Sequence, residues 1–238
     1  MKKIISIVLV LWLSVFSLSS CTSDFEPVDP AVQVPDETPD DNGNSTGDYW
    51  PMALNNQWIY KLNGVSQDPM KIVSTESIDG KSYFKYENFI GSSTAGSGFI
   101  GTTLTRKTNG VYYVRVSAVI PGTPTITVSP LEFIILKDYL EVNQMWSQNL
   151  SQTTTIEGQT PIVTAVEIAG KILERNVSLT VGTVAFTNVI HTEVIQTTQG
   201  TINKNEYWFS KDIGLIKYKN SIEGSLNNEY EIQSYQLN

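Results

Sequence analysis

Glu229 and Glu231 stand two apart in a stretch that alternates like a strand, so their carboxylates would share one face. Two carboxylates about 5–9.5 Å apart are what glycoside hydrolysis uses. Sixteen acids fall between residues 49 and 238, however, and at that density such pairs arise routinely on a solvated face. His191, the only histidine, shares the polar side of its stretch with Glu193. A hydrolytic triad could be built on it, but no Gly-x-Ser-x-Gly elbow is present to supply the nucleophile, so a surface or half-buried strand histidine is expected. Gly96-Ser97-Gly98-Phe99-Ile100-Gly101 spells the dinucleotide-binding pattern. That pattern works only where a strand precedes it and a helix N-terminus follows to meet the pyrophosphate. Here a Gly/Ser loop precedes it and Thr102-Thr103-Leu104-Thr105 reads as strand, so a hairpin loop and no cofactor are expected. Asp40-Asp41-Asn42-Gly43-Asn44 opens like a calcium loop, but Ser45 and Pro51 occupy the positions where Gly and Glu are needed. One His and one Cys also exclude multi-His zinc sites, Cys clusters and disulfide scaffolds. No catalytic and no metal-ligating residue is assigned, and the ligand-binding residues stay open.

Trp50, Trp58, Trp146 and Trp208, with Tyr83, Tyr86, Tyr112, Tyr113 and Tyr207, could stack against sugar rings. Each Trp lies within or beside a strand-like stretch, so a β core is the expected place for them. A concavity for lipid or peptide would be lined by Val, Ile and Phe from one sheet face, and in sequence it reads the same as a core.

The elements that would position these side chains are strands. The chain has 24 Thr and 7 Ala, a balance that suits a pleated surface and not a helix. Tyr112, Val114, Val116, Ala118 and Ile120 alternate onto one face, as do Ile162, Val166, Ile168 and Ile172, and Val184, Phe186, Ile190 and Val194. Asp79-Gly80 and Asn109-Gly110 sit between such runs and predict two-residue hairpins, with further breaks at Asn63-Gly64, Gln199-Gly200 and Glu223-Gly224. The spacing predicts an all-β fold. It is a single antiparallel meander of about ten to twelve strands in a strongly curved sheet or half-barrel, with a β-sandwich as the alternative. Strands are expected near 57–63, 70–78, 82–89, 102–108, 111–119, 132–140, 145–155, 162–175, 177–181, 185–197, 205–210, 214–220 and 229–237, some of them merging. Leu54-Asn55-Asn56-Gln57-Trp58 and Val142-Asn143-Gln144-Met145-Trp146 form a short internal repeat, in which Asn55 and Asn143 suit a left-handed backbone.

Ahead of this domain lies a different kind of chain. Lys2 and Lys3 precede an apolar run from Ile4 to Leu18, too short to span a bilayer core of about 20 residues but suited to a signal peptide. Leu18-Ser19-Ser20-Cys21 follows directly and resembles the lipobox of bacterial lipoproteins. The resemblance implies acylation of the Cys21 thiol, cleavage after Ser20 and acylation of the new amino terminus. Two or more acyl chains anchor stably where one holds only marginally. Thr22 in place of Asp leans towards the outer membrane under the enterobacterial sorting rule, and Asp24 and Glu26 resemble a surface-export signal; periplasmic and surface orientation both stay open. The expected organisation is a signal peptide over 1–20, a disordered acidic tether over 21–48 and an all-β domain over 49–238. Residues 21–48 carry eight acids and no base, while residues 49–238 are net −2, so the acidity belongs to the tether. A near-neutral domain lacks the basic patch that nucleic acid requires.

Tyr49-Trp50-Pro51-Met52-Ala53-Leu54-Asn55-Asn56-Gln57-Trp58-Ile59-Tyr60 resembles the opening of secreted lipoproteins of the Bacteroidota type. That opening is an aromatic pair, Pro-Leu, then Gly-Asn-x-Trp-x-Tyr. Gly182, Phe186-Thr187-Asn188-Val189 and Tyr207-Trp208-Phe209-Ser210-Lys211-Asp212-Ile213-Gly214-Leu215-Ile216-Lys217 resemble their C-terminal part, with Asn55 and Asp212 standing where the family has Gly. The resemblance implies an all-β secreted lipoprotein domain and no activity. The expected function is a lipid-anchored outer-membrane β-domain acting as a non-enzymatic binding or accessory module. It would be held to the membrane through Cys21, with an envelope protein as candidate partner. A carrier of an apolar or glycan ligand in a sheet concavity is the alternative, and a carboxylate-based hydrolase is the third reading.

Overall fold

The computed structural model describes residues 43–91 and 100–238, which fall within the compact unit Asp36–Asn238. The signal segment with Ser20, Cys21, the tether as far as Asn42, and positions 96–99 of the glycine-rich stretch lie outside the described residues. Thirteen strands follow one another: β1 Gln57–Leu62, β2 Val65–Ser66, β3 Met70–Ile78, β4 Lys81–Glu87, β5 Ile100–Thr108, β6 Val111–Ile120, β7 Ile126–Lys137, β8 Met145–Ile156, β9 Ile162–Val181, β10 Val184–Thr198, β11 Thr201–Ser210, β12 Gly214–Ile222 and β13 Ser225–Gln236. Neighbours in the chain pair antiparallel from β3 to β13, as the meander requires.

The curved sheet then closes. β13 pairs β1 from Gln57↔Gln236 to Leu62↔Tyr230, so β1 and β3–β13 form a twelve-strand barrel. β2 adds two residues beside β3 on the free side of β1. Closure leaves no long unpaired edge, and the sandwich alternative is not what forms. Asp79-Gly80, Asn109-Gly110, Gln199-Gly200 and Glu223-Gly224 carry positive φ at both positions, as two-residue hairpin turns demand.

Several expected strand starts move earlier, those of β11 and β13 by four residues each. β7 begins at Ile126, six residues before its expected start, because Ile126–Val128 pair with Thr154–Ile156. The stretch 162–181 is one strand and not two, bent at Asn176 (φ 53) by a bulge against β10. A second left-handed residue, Asn188 (φ 53), breaks the alternation of β10 after Phe186, so Val189 to Thr192 are all buried, while Val184 beside the 182–183 turn is 48% exposed.

Alternating strand direction sorts the connections into two ends. The first end holds turns 79–80, 109–110 and 211–213, the connection 138–144 and the entering segment 43–56. The far end holds turns 63–64, 121–125, 157–161, 199–200 and 223–224. Eight strands make a barrel that side chains just fill, and twelve make a wider one. At the first end two inserts take up much of the extra width, and residues 88–91 of the β4–β5 connection add to them, with Phe89 against Trp50, Ile90 buried and the Gly91 N–H donating to Tyr230 Oη at 3.2 Å. One is segment 43–56. The other is the second half of β7, which separates from β8 beyond Val128. There β8 side chains replace the ladder: Ile134 N–H donates to Gln148 Oε1 at 2.7 Å, and Trp146 Nε1 donates to the Ile134 carbonyl at 3.3 Å. From across the interior, Thr192 Oγ1 of β10 donates to the Ile135 carbonyl at 3.2 Å. Ile134, Ile135 and Leu136 are at most 1% exposed and form the core there with Trp50, Trp58, Tyr60, Tyr112 and Phe209.

Candidate functional site

The entering segment is laced to the first end as a strap. Ser45 Oγ donates to Asp138 Oδ2 at 2.7 Å, Thr46 N–H to Asp138 Oδ1 at 3.0 Å, and Tyr49 N–H to Tyr112 Oη at 2.9 Å. Arg175 reaches the carbonyls of Asp138 and Leu140 and the Thr46 hydroxyl. Lys107 pairs with Asp48 at 2.6 Å, and Asp212 N–H donates to the Asp48 carbonyl at 2.6 Å. Residues 45–48 therefore belong to the folded domain, although their composition reads as tether. Gly110 makes the close approach possible: a Cβ there would lie 2.5 Å from Asp138 Oδ1 and 3.0 Å from Ser45 Cα. Burial pushes the Asp138 carboxyl up, and its hydrogen bonds from Ser45, Thr46 and Tyr112 do not fully offset that.

The outer face of β9–β13 carries charge in rows. His191 lies flat on Trp208, with ring centroids 4.0 Å apart, between Glu174 (Nδ1 to Oε2, 3.1 Å) and Glu206 (Nε2 to Oε1, 3.4 Å). The Glu206 contact is within ion-pair range but off the direction of a hydrogen bond, which leaves Nε2 buried and unbonded. Burial pushes the imidazole below its usual pKa despite both carboxylates. His191 is 8% exposed, so the expected surface or half-buried histidine is a covered one, and among the described residues its polar partners are Glu174 and Glu206. Glu229 and Glu231 do share a face, as expected. Lys217 Nζ sits between them at 2.7 Å from each, and that ammonium holds Glu229 below the usual carboxylate range. A glycosidase acid needs a raised pKa, so this pair is an ion-pair clamp.

The aromatic residues divide. Trp50, Trp58, Trp146, Tyr86 and Tyr112 are core, each at most 7% exposed. Trp58 Nε1 donates to the Ile213 carbonyl at 2.8 Å and Tyr60 Oη to the Leu215 carbonyl at 2.6 Å. Trp50 Nε1 is buried with no acceptor. Tyr83 and Tyr113 flank Arg106, whose guanidinium lies 3.5 Å from the Tyr113 ring centroid and grips Glu132 at 2.7 Å. Trp208 faces outward beneath His191.

A group of which the sequence pointed only to Tyr207 lines the inner wall of β11–β13. Tyr207, Tyr218 and Tyr230 stand in one row, with ring centroids 5.0 and 5.8 Å apart. The next inner row towards the far end is Asn205 and Asn220, followed by Asn203. With amide orientations set by the network, Tyr218 Oη donates to Asn205 Oδ1 at 2.7 Å, Asn220 Nδ2 donates to Asn205 Oδ1 at 3.0 Å and also to Asn203 Oδ1, and Asn227 Nδ2 donates to Asn220 Oδ1 at 3.1 Å. The outer face of the same strands carries Lys204, Glu206, Lys219 and Glu229. Asn203-Lys204-Asn205 is polar on both faces of one strand, and that was the available signal.

Fold and side chains together define a closed antiparallel β-barrel, strapped and filled at one end and amide-lined on its inner wall towards the other. No family model matches the chain, and no curated protein matches it in sequence. Its structure is similar to a crystal structure described as "a putative lipoprotein from Parabacteroides distasonis", with a TM-score of 0.46 and 11% identity over 80% of this chain and 99% of that one.

Proposed function

We propose that this chain is a lipid-anchored β-barrel module of the cell envelope, joined to the outer membrane through acylated Cys21, that binds and makes or breaks no bonds. The observation that carries the reading is the strap. The chain enters the barrel at its filled end, so the tether holds the domain by the end that has no room for a ligand. The amide-lined end is left facing away from the point of attachment. The outer-face carboxylates bear on the enzyme reading, because Lys217 pairs with both Glu229 and Glu231 and holds Glu229 below the usual carboxylate range, the reverse of what a general acid needs.

The anchor is tested on the whole chain. Cys21→Ala is expected to abolish metabolic labelling by a fatty-acid analogue, delay signal removal and move the protein out of the membrane fraction. Unchanged membrane partitioning of the variant contradicts the reading.

A further inference from the structure

The inner wall of β11–β13 is costly for a barrel that is merely packed shut. Interior positions of a filled barrel are expected to be apolar, and polar side chains on the inner face are the mark of a wet lumen. Here Asn203, Asn205 and Asn220 occupy successive inner positions, and Gln196 of β10 lies level with Asn203. Their amide bonding is one-sided. Asn220 and Asn227 donate, the carbonyl oxygens of Asn203 and Asn205 accept, and among the described residues the Nδ2 groups of Asn203 and Asn205 have no acceptor. Among the described residues the fully buried side-chain nitrogens and oxygens without a partner are Trp50 Nε1 and His191 Nε2. Both Nδ2 groups therefore keep some accessible surface, although Asn205 as a whole is 8% exposed and both side chains point into the barrel. The tyrosines one row deeper tell the same story. Burial pushes the hydroxyls of Tyr207 and Tyr218 well up, yet both inward-facing rings keep accessible surface and are only half-buried. Groups that are deeply surrounded and still wet line an internal space.

We infer that this space is a binding site for a neutral carbohydrate, with Tyr207 and Tyr218 as its floor and Asn203, Asn205 and Asn220 as its wall. A sugar ring has an apolar C–H face and a hydroxyl edge. The tyrosine row offers aromatic faces to the first, and the free Nδ2 groups offer uncharged donors to the second. The charges of these strands, Lys204, Glu206, Lys219 and Glu229, are all on the outer face, so the site selects against an ionic ligand. Entry is from the far end, since Asn203 is three residues from the turn at Gly200, about 10 Å down the wall, and the strap fills the other end. This site deepens the binding reading above by naming the ligand class, and it does not depend on how the chain is anchored.

The test uses the full mature chain in detergent micelles, with asparagine labelled by nitrogen-15, titrated to millimolar maltoheptaose and, separately, chitotetraose. The expected result is movement of the side-chain amide signals of Asn203 and Asn205 with at least one of the two. The expected loss is at least tenfold in affinity for Asn203→Ala and less than twofold for the outward-facing Lys204→Ala. Should Asn203→Ala not fold, the map of shifted amides on the wild-type chain decides alone. Three results overturn the inference: no movement of these amides with either saccharide, equal loss in both variants, or movement with palmitate where neither saccharide acts. Membrane release by Cys21→Ala is read separately, so failure of the sugar site and failure of the anchor are distinguishable.

Discussion

At the strapped end, the barrel interior holds Trp50, Trp58, Tyr60 and Phe209, each at most 1% exposed, and even the second half of β7 is folded inward to occupy width. About 13–20 Å away along β11, the same inner face carries asparagines that bond to one another, Asn203 half-buried and Asn205 and Asn220 at 8% and 7% exposure. A single strand shows the change: β11 runs from half-buried Asn203 through half-buried Tyr207 to Phe209 at 0% exposure. A twelve-strand barrel has more interior than its own side chains fill. The two ends differ in that the surplus is filled by apolar side chains where the chain enters and lined by amides where it turns back. Stability should therefore be concentrated at the strap, and tolerance to substitution at the amide wall.

Substitutions can break or sharpen that contrast. The largest effect is expected for Trp58→Ala, which empties the filled end and removes the donor to the Ile213 carbonyl; a loss of about 3–5 kcal/mol in urea unfolding is predicted. Gly170→Val comes next. A Cβ at Gly170 would lie 2.0 Å from Trp146, so the indole or the β8–β9 pairing must shift, at about 1–3 kcal/mol or more. Arg175→Ala unlaces the strap by removing donors to two carbonyls and the Thr46 hydroxyl, and about 1.5–3 kcal/mol is expected in the same assay. Asn203→Ala at the far end should cost less than about 1 kcal/mol, because its amide nitrogen is already hydrated. A loss as large as that of Trp58→Ala would erase the contrast.

Acid unfolding sharpens it further, because two carboxylates are shifted in opposite directions. Glu229, held low by Lys217, contributes stability above its unfolded value of 4.5 that disappears as pH falls through its lower folded value. Asp138, pushed above 3.8 chiefly by burial, takes up its proton in the folded state first, so acidification towards 3.8 favours folding at that group. Urea midpoints measured from pH 7 to 3 should decline less steeply at the acid end in Glu229→Gln than in wild type. They should decline more steeply in Asp138→Asn. Shifts of the same sign in both variants would contradict the assigned environments.

Much of the fold was legible locally. Hairpin dipeptides such as Asn109-Gly110 have both φ angles positive because their chemistry permits little else. The short repeat also carried structure: Asn55 (φ 69) and Asn143 (φ 72) are both left-handed, and their N–H groups donate to buried Ile72 and Ile172 carbonyls at 2.9 and 2.8 Å. Each corner delivers a Trp into the core, opposite Met70 in one case and Gly170 in the other. Closure was not legible, since the pairing of Gln57 with Gln236 joins residues whose local patterns say nothing of each other. The strap was hidden for a related reason. Ser45, Thr46 and Asp48 look like linker until Asp138, Arg175 and Lys107 are brought to them. The amide wall is legible only as polarity on both faces of β11, because asparagine carries neither a charge nor a nucleophile.

The contrast between the two ends is tested most directly by cysteine accessibility. With Cys21→Ser removing the native thiol, Asn203→Cys, Asn205→Cys and Phe209→Cys place single probes along the inner face of β11. A small water-soluble methanethiosulfonate reagent should modify the probes at 203 and 205 at least tenfold faster than the one at 209 in the folded protein. Equal protection of all three positions would mean a barrel sealed throughout, with no open inner wall.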